Sequence, residues 1–287
     1  MREGVDAPFA TGLDALPPPE MARKAEEVGA SKAGMPASTT FVLAVLAGAF
    51  IALGALFATT VTAGGSDLPY GVARLLGGLA FSLGLILVVV AGAELFTGNN
   101  LIVMAWADRR VSTGRLLRNW AIVYAGNLVG AIATAAILFE SRQYEFGKGA
   151  VGVQALTIAA AKSDLGFVQA IALGILCNAL VCLAVWLCYS ARTTTDKVLA
   201  IVPPITAFVA AGFEHSVANM FFIPFGLFVK ASGFADGRHD VPDLSHLTWD
   251  RFVTHNLVPV TIGNVIGGAV MVGGVYWSVY LRRPTAP

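Results

Sequence analysis

The sequence predicts an all-α membrane protein with six transmembrane helices, arranged as two inverted three-helix repeats in which helices 2 and 5 are broken. Three observations lead to this prediction. Of the 287 residues, 56% are hydrophobic and only 13% are charged, whereas soluble domains average about a quarter charged residues. The apolar residues gather in six long stretches, and motifs of the first three stretches recur in the last three.

Each of the six stretches is long enough for the roughly 20 apolar residues that cross a bilayer as a helix. They are too long and too uniformly apolar to be the strands of a membrane barrel. The predicted spans are residues 40–63, 75–107, 119–139, 165–191, 198–229 and 252–281. The connections between them hold the polar residues, and we expect the connection at 140–164 to be a loop.

The chain divides into two parts by polarity. Residues 1–39 form a polar N-terminal cytoplasmic segment, with a short interfacial helix from Glu20 to Lys32, and residues 40–283 form the six-span transmembrane domain. No cleavable signal peptide is recognisable in this polar segment. Lysines and arginines are more numerous in the connections that lie inside when the N-terminus is inside, so both termini are predicted to be cytoplasmic.

Internal repetition gives the relation between the two halves. Three motifs recur in the same order: Phe41-Val42 as Phe167-Val168, Gly92-x-Glu94-x4-Asn99 as Gly212-x-Glu214-x4-Asn219, and Gly126-Asn127 as Gly263-Asn264. Each half therefore holds three spans, and an odd number of spans forces the second half to insert upside down. This inverted arrangement is typical of transporters and channels.

Spans two and five are predicted to be broken near their middle. Each is too long for one straight crossing at 1.5 Å per residue, and polar residues interrupt them at 94–100 and 212–216. Broken helices at matching positions of inverted halves indicate a substrate path near the midplane. Irregular backbone at that depth persists only where protein or a watery cavity satisfies it.

Glu94, Glu214 and His215 are the only ionisable groups deep within the predicted spans, where such groups are costly and often functional. We interpret His215 as functional because it lies at a helix break and changes charge near neutral pH; the alternative is a core histidine bonded to a neighbouring span. The two glutamates are interpreted as structural, their carboxylates binding the free backbone amides at the breaks.

Other candidates have ordinary interpretations from pattern alone. Thr97 and Asn178 offer neutral hydrogen-bonding groups, or simply contacts between helices. Lys162 ends the third loop, where a lysine is ordinarily solvated. The Gly-Asn pairs are expected to permit close helix contact. The pattern also leaves three residues as ordinary core or lipid-facing side chains: Phe81, Leu85 and Phe208.

Composition and motifs exclude several function classes. A net charge of +1 and a pI near 7.7 provide no basic face for nucleic acid. The three cysteines lie in one span at spacings that do not permit bridging, so they are predicted to be buried thiols. No zinc-protease or serine-nucleophile motif indicates an intramembrane enzyme. No metal or other cofactor is predicted, and a purely structural or peptide-binding membrane protein stays an alternative.

From about residue 20 to 281 the sequence resembles the formate/nitrite transporter family, in its formate-channel branch. The resemblance is carried by four motifs: Ala93-Glu94-Leu95-Phe96-Thr97-Gly98-Asn99, Cys177-Asn178-x-Leu180-Val181-Cys182-Leu183-Ala184, Gly212-Phe213-Glu214-His215-Ser216-x-Ala218-Asn219-Met220 and Pro259-Val260-Thr261-Ile262-Gly263-Asn264. It implies a homopentamer of aquaporin-like protomers, each with its own anion pore. A water or glycerol channel is disfavoured because Asn-Pro-Ala occurs at neither helix break.

The resemblance also implies roles for individual residues. His215 is implied to be the single pore histidine, hydrogen-bonded to both Thr97 and Asn178. Phe81 and Leu85 match the constriction on the cytoplasmic side of it, and Phe208 matches the periplasmic constriction. Asn264 matches a polar residue near the path, and Lys162 matches a vestibule lysine that draws anions inward.

Together these observations predict a channel or transporter for small monovalent anions in the inner membrane, not an enzyme. Formate is the first candidate, and nitrite, hydrosulfide or another small weak-acid anion is the alternative. The expected partners are the anion, the lipid bilayer and protons. A bare anion pays a large desolvation cost in an apolar constriction, so we hypothesise that a proton relayed through His215 neutralises it in transit.

Overall fold

The protein is described from a computed structural model, in which residues 15–65 and 68–282 are described. Residues 1–14 of the predicted N-terminal segment and residue 283, which ends the predicted transmembrane domain, lie outside the described residues. The helices, in chain order, are α1 Pro18–Gly34, α2 Ala37–Thr62, α3 Tyr70–Ala91, α4 Val103–Ala107, α5 Thr113–Glu140, α6 Ala150–Ser163, α7 Phe167–Ser190, α8 Thr194–Ala211, α9 Ser216–Ala231 and α10 Trp249–Tyr280.

The prediction of an all-α membrane protein with six spans is confirmed. Six of the helices are long and apolar enough to cross a membrane, namely α2, α3, α5, α7, α8 and α10. Within the described ranges there is no β-strand. The last span is one continuous helix with two π-helical stretches, Phe252–Leu257 and Ile266–Gly274. The last span is therefore locally widened at these two stretches, but it is not broken as spans two and five are.

The two halves are inverted with respect to each other, as predicted. The spans α3 and α8 pack side by side, and Arg74 near the start of α3 donates from Nε to the Ala210 carbonyl near the end of α8, at 3.1 Å. The start of one helix therefore meets the end of its counterpart, so the two are antiparallel. In each half the first span, α2 or α7, packs against the other two spans of that half.

Spans two and five are both broken, which confirms the predicted interruption. The first segments end at Gly92 (φ 81°) and Gly212 (φ 77°), in the left-handed region that glycine adopts without steric cost. After a short extended loop the chain becomes helical again. In the first half this is a 3₁₀ turn, Gly98–Ile102, followed by the short α4, whereas in the second half it is the sixteen-residue α9.

The expectation of a loop at 140–164 is wrong for its second part, which forms α6. This helix of 14 residues is too short to span a bilayer, and it buries Leu156 and Ala159 in the core against α9. Hydropathy alone missed it because its apolar run is short and interrupted by Gln154 and Thr157. Lys162 consequently lies in the last turn of a helix rather than in a loop.

A helix is also present where the interfacial helix was predicted, and it is α1. It packs against α4, α5, α7 and α10, and its Glu26 forms an ion pair with Arg110, with 3.1 Å between the oxygen and the nitrogen. Like α6, it precedes the first span of its half and carries a lysine in its last turn. Its position at the membrane surface and its cytoplasmic side stay predictions.

Candidate functional site

Asparagine side chains close both helix breaks by binding backbone groups that the breaks leave unpaired. The Nδ2 of Asn127 in α5 donates to the carbonyl oxygens of Ala44 and Glu94, at 2.8 and 2.9 Å. Its Oδ1 accepts from the amide of Phe96 at 2.9 Å. One carboxamide therefore joins the first span, the third span and the broken loop of the first half.

Asn264 in α10 repeats this arrangement in the second half. Its Nδ2 donates to the carbonyl oxygens of Gly174 and Glu214, both at 2.9 Å, and its Oδ1 accepts from the amide of Ser216 at 2.9 Å. The close helix contact expected for the Gly-Asn pairs is confirmed, because a Cβ on Gly263 would overlap the backbone carbonyl of Ile171. Whether Asn264 also faces a permeation path stays a prediction.

The glutamates act differently from the expectation that their carboxylates bind free backbone amides. The Oε1 of Glu94 forms an ion pair with Lys32 at 2.8 Å, and its Oε2 accepts from Asn99 at 2.7 Å. The amide that needed a partner in this loop is bound by Asn127 instead. The prediction failed because a buried carboxylate needs a countercharge, and the lysine of α1 supplies it.

Glu214 forms the matching cluster in the second half. Its Oε1 pairs with Lys162 at 2.8 Å, and its Oε2 accepts from Asn219 at 2.6 Å. The two clusters differ in the bonds of their lysines. Lys32 also donates to the Oδ1 of Asn99 at 2.9 Å, whereas the Oδ1 of Asn219 is buried without a partner. The ammonium of Lys162 is therefore less occupied than that of Lys32.

His215 and Thr97 bring the two broken loops together. The Nε2 of His215 lies 2.9 Å from the Oγ1 of Thr97, and its Nδ1 accepts from the amide of Ala218 at 3.0 Å, so that the histidine caps α9. Because Nδ1 accepts, the hydrogen of the neutral imidazole lies on Nε2 and is donated to Thr97. The hydroxyl hydrogen of Thr97 is then free to point at a third group.

Asn178 supports the Thr97 loop and does not bind His215, so the hydrogen bond implied between them is wrong. Its Nδ2 lies 3.3 Å from the carbonyl oxygen of Thr97, 2.8 Å from Oδ1 of Asn100 and 2.7 Å from the carbonyl oxygen of Asn264. Both ring nitrogens of His215 are already bound elsewhere. Asn178 therefore positions the loop that carries the hydroxyl.

Phe81 and Phe208, which were assigned to two separate constrictions, form one aromatic pair. Their rings meet edge to face with centroids 5.6 Å apart, and Phe208 stacks on His215 at 5.9 Å. The expectation that Phe81 lies with Leu85 on the opposite side of His215 from Phe208 is therefore wrong. Because α3 and α8 run antiparallel, the middle of α3 meets the last turns of α8.

Leu85 lies one turn further along α3 and lines a separate cavity of about 380 Å³ on the side of α1. The cavity extends from Leu85 to Glu94 and reaches three lysines, Lys24, Lys32 and Lys197.

The opposite side of the aromatic pair is occupied by Lys162, whose ammonium lies 5.4 Å from the ring centre of Phe222. Phe222 in turn stacks on Phe81 at 6.4 Å. One lysine–glutamate pair therefore lies on each side of the aromatic pair.

Sequence reasoning missed Lys32, Asn99 and the anchoring role of Asn127. The signal available for Lys32 was its position, since a lysine precedes the first span of each half. The three cysteines, Cys177, Cys182 and Cys188, are free and buried, as predicted. Among residues 15–65 and 68–282 there is no cluster of three or more histidine, cysteine or acidic side chains able to hold a metal ion.

Comparisons with known proteins indicate the family to which this fold belongs. A family model described as formate/nitrite transporter matches residues 19–278. The formate channel FocA of Escherichia coli K12 is 47% identical over 282 residues, covering 97% of this chain and 98% of the relative. FocA of Haemophilus influenzae is 41% identical, covering 90% and 93%. A solved structure titled pentameric formate channel with formate bound has a TM-score of 0.79 and 45% identity, and the match covers 86% of this chain and 98% of that one.

Proposed function

Because the chain belongs to the formate/nitrite transporter family, we propose that it conducts formate across the membrane through a pore within each protomer, at the Thr97–His215 pair. It is a multi-pass membrane transport protein and not an enzyme. The observation that carries the assignment of the site is the hydrogen bond between these two side chains, buried beside the rings of Phe81 and Phe208.

The orientation of this hydrogen bond suits an anion. With Nε2 of His215 donating to Thr97, the threonine hydroxyl donates its own hydrogen to a carboxylate oxygen in the path. A hydrogen bond to a charged group contributes about 1.5–3 kcal/mol. The hydroxyl donor beside the apolar ring pair thus offsets part of the desolvation that formate undergoes as it passes.

The charged residues on both sides assist entry in the same way. Lys32 on the α1 side and Lys162 on the α6 side lie at the two entrances, each beside a buried glutamate. Each pair is formally neutral, so it raises the local anion concentration less than a free lysine does. Lys162, which keeps more of its donors unbound, contributes more to attracting the anion.

Protonation of formate in transit sets a condition on His215. A neutral imidazole that gives up its Nε2 hydrogen would become an imidazolate, so the relay has to begin from the imidazolium. A proton on Nδ1 would face the amide hydrogen of Ala218, which now donates to that atom. Relay through His215 therefore requires the first turn of α9 to open or the ring to turn.

The assembly and location follow from the same family. A homopentamer is proposed because a similar solved structure is titled pentameric. The inner membrane is proposed because the chain belongs to this family of membrane transporters. The cytoplasmic termini are proposed from the distribution of lysines and arginines, which puts α1 and its cavity on the cytoplasmic side. Nitrite stays the alternative anion, because the family description includes it.

The test is anion current and proton uptake in proteoliposomes that hold purified protein, with formate and nitrite measured separately between pH 5 and 8. We expect formate current in the wild-type protein and its loss in His215→Phe. Current without matching proton uptake establishes a channel and makes His215 a selectivity element. One proton taken up per formate means proton symport or permeation as neutral formic acid, and the same measurement on His215→Phe then tests the relay. Absence of flux with either anion would refute the proposed function and leave the fold unaffected.

A further inference from the structure

The cavity on the α1 side holds more positive charge than its carboxylate neutralises. Among the residues that line it, three lysines carry positive charge, and Glu94 is the one carboxylate. Glu94 is already paired with Lys32. Lys24 and Lys197 are therefore left without an acidic partner in the cavity wall.

The two remaining ammonium groups are available to a ligand. The Nζ of Lys24 donates to one neutral acceptor, the carbonyl oxygen of Tyr189, at 2.9 Å. Lys197 makes no side-chain hydrogen bond or ion pair with any residue the structure describes. Its neighbour Asp196 is occupied elsewhere, accepting from the amide of Thr193 at 2.9 Å. Both lysines are half-buried, which reduces their screening by water.

We propose that this cavity is a binding site for a small divalent anion, an inorganic oxyanion or a short dicarboxylate, held between Lys24 and Lys197. Its volume of about 380 Å³ falls within the range of ordinary small-molecule sites and exceeds the needs of a three-heavy-atom carboxylate. The site is distinct from the Thr97–His215 pair. It lies at the entrance to the proposed path for anions that come from the α1 side.

A divalent anion bound there blocks the path instead of following it. The Born cost of desolvation grows with the square of the charge, so passing the rings of Phe81 and Phe208 costs a dianion about four times what it costs formate. Two ammonium groups at the entrance stabilise a dianion more than a monoanion. The cavity therefore retains dianions, and they inhibit formate flux from the α1 side only.

Binding is tested directly, without transport, by titration calorimetry of the purified protein with sodium sulfate, sodium phosphate and sodium succinate, against sodium chloride at equal ionic strength. We expect the dianions to bind and the double variant Lys24→Gln, Lys197→Gln to weaken binding about tenfold. Lys148→Gln is the matched control, because it removes one exposed lysine outside this cavity and should leave binding unchanged. Sulfate, phosphate and succinate affinities then distinguish an oxyanion site from a dicarboxylate site.

The inhibition measurement rests on the proposed function and is made in planar bilayers, with an N-terminal tag reporting which side carries α1. Sulfate added to the α1 side should reduce formate current in the wild-type protein and in the Lys148 variant, and much less in the double variant. Equal inhibition from both sides, or unchanged affinity in the double variant, would overturn the proposal. If formate current is absent, the calorimetry still decides whether the site exists.

Discussion

Replacing Thr97 by valine is the most direct perturbation of the proposed pore, because the two side chains have nearly the same shape. The hydroxyl lies 2.9 Å from Nε2 of His215 and is fully buried. Thr97→Val leaves the imidazole N–H without an acceptor, which costs about 1–3 kcal/mol. The loop itself stays anchored, because Asn178 and Cys182 bind the backbone carbonyl of residue 97 rather than its side chain.

The loss of transport follows from the donor that the anion no longer meets. A hydrogen bond to a charged acceptor contributes about 1.5–3 kcal/mol, so formate current should fall about ten- to a hundredfold. The assay is formate current in proteoliposomes at fixed protein content. Thermal unfolding in detergent verifies that the variant is folded.

Thr97→Ser is the control, because it keeps the hydroxyl and loses only a methyl group. Its current should lie much nearer to that of the wild-type protein than to that of the valine variant. A folded Thr97→Val protein that conducts formate at the wild-type rate would refute the reasoning. Equal losses in the serine and valine variants would show that the hydroxyl alone does not account for transport, because serine retains it.

Three further predictions concern the scaffold. Asn127→Leu and Asn264→Leu should each lower the free energy of unfolding by at least about 2 kcal/mol, since each leaves two loop backbone groups unpaired; a thermal midpoint unchanged from wild type would contradict this. Lys32→Met and Lys162→Met each leave a buried carboxylate unpaired, at about 3–5 kcal/mol, and thermal unfolding should show the larger loss for Lys32, which has two partners. Burial raises the pKa of Glu26, so the folded state binds its proton more tightly than the unfolded state, and this stabilisation is present at low pH and is lost as pH rises through the raised pKa. The protection of α1 amides against hydrogen exchange, relative to their intrinsic exchange rates, should therefore fall between pH 4 and 8. Glu26→Gln should reduce this fall.

The spans, their inversion and the two breaks were predictable from the sequence because each leaves a local mark. Hydrophobic length marks a span, and Gly92 and Gly212 mark the points where each broken helix must stop. The repeated glutamates mark equivalent positions in the two halves. The partners of the glutamates were not predictable, because Lys32 and Lys162 belong to helices outside the predicted spans.

The errors in the site have one physical origin, since they depend on how elements far apart in the chain pack together. Phe81 was assigned to the wrong side because its neighbour is determined by the antiparallel packing of α3 on α8. That packing depends on the close approach of Gly78 to the backbone of Thr206, where a Cβ would lie 2.6 Å from the carbonyl oxygen. No motif within α3 alone carries this information.

The two halves share one scaffold, and the proposed function arises where they differ. At the breaks, glutamate, asparagine and lysine form nearly identical clusters, so symmetry accounts for the stability of both loops. At the position after the glutamate, the first loop carries Leu95 and the second carries His215. Two residues later, the first loop carries Thr97 and the second carries Val217. The imidazole and the hydroxyl thus come from different halves, at positions that are not equivalent. Replacing Leu95 by histidine would add a second imidazole. The second half has Val217 where the first half has Thr97, so this imidazole would have no matching hydroxyl. The variant should therefore not gain a second site that conducts formate.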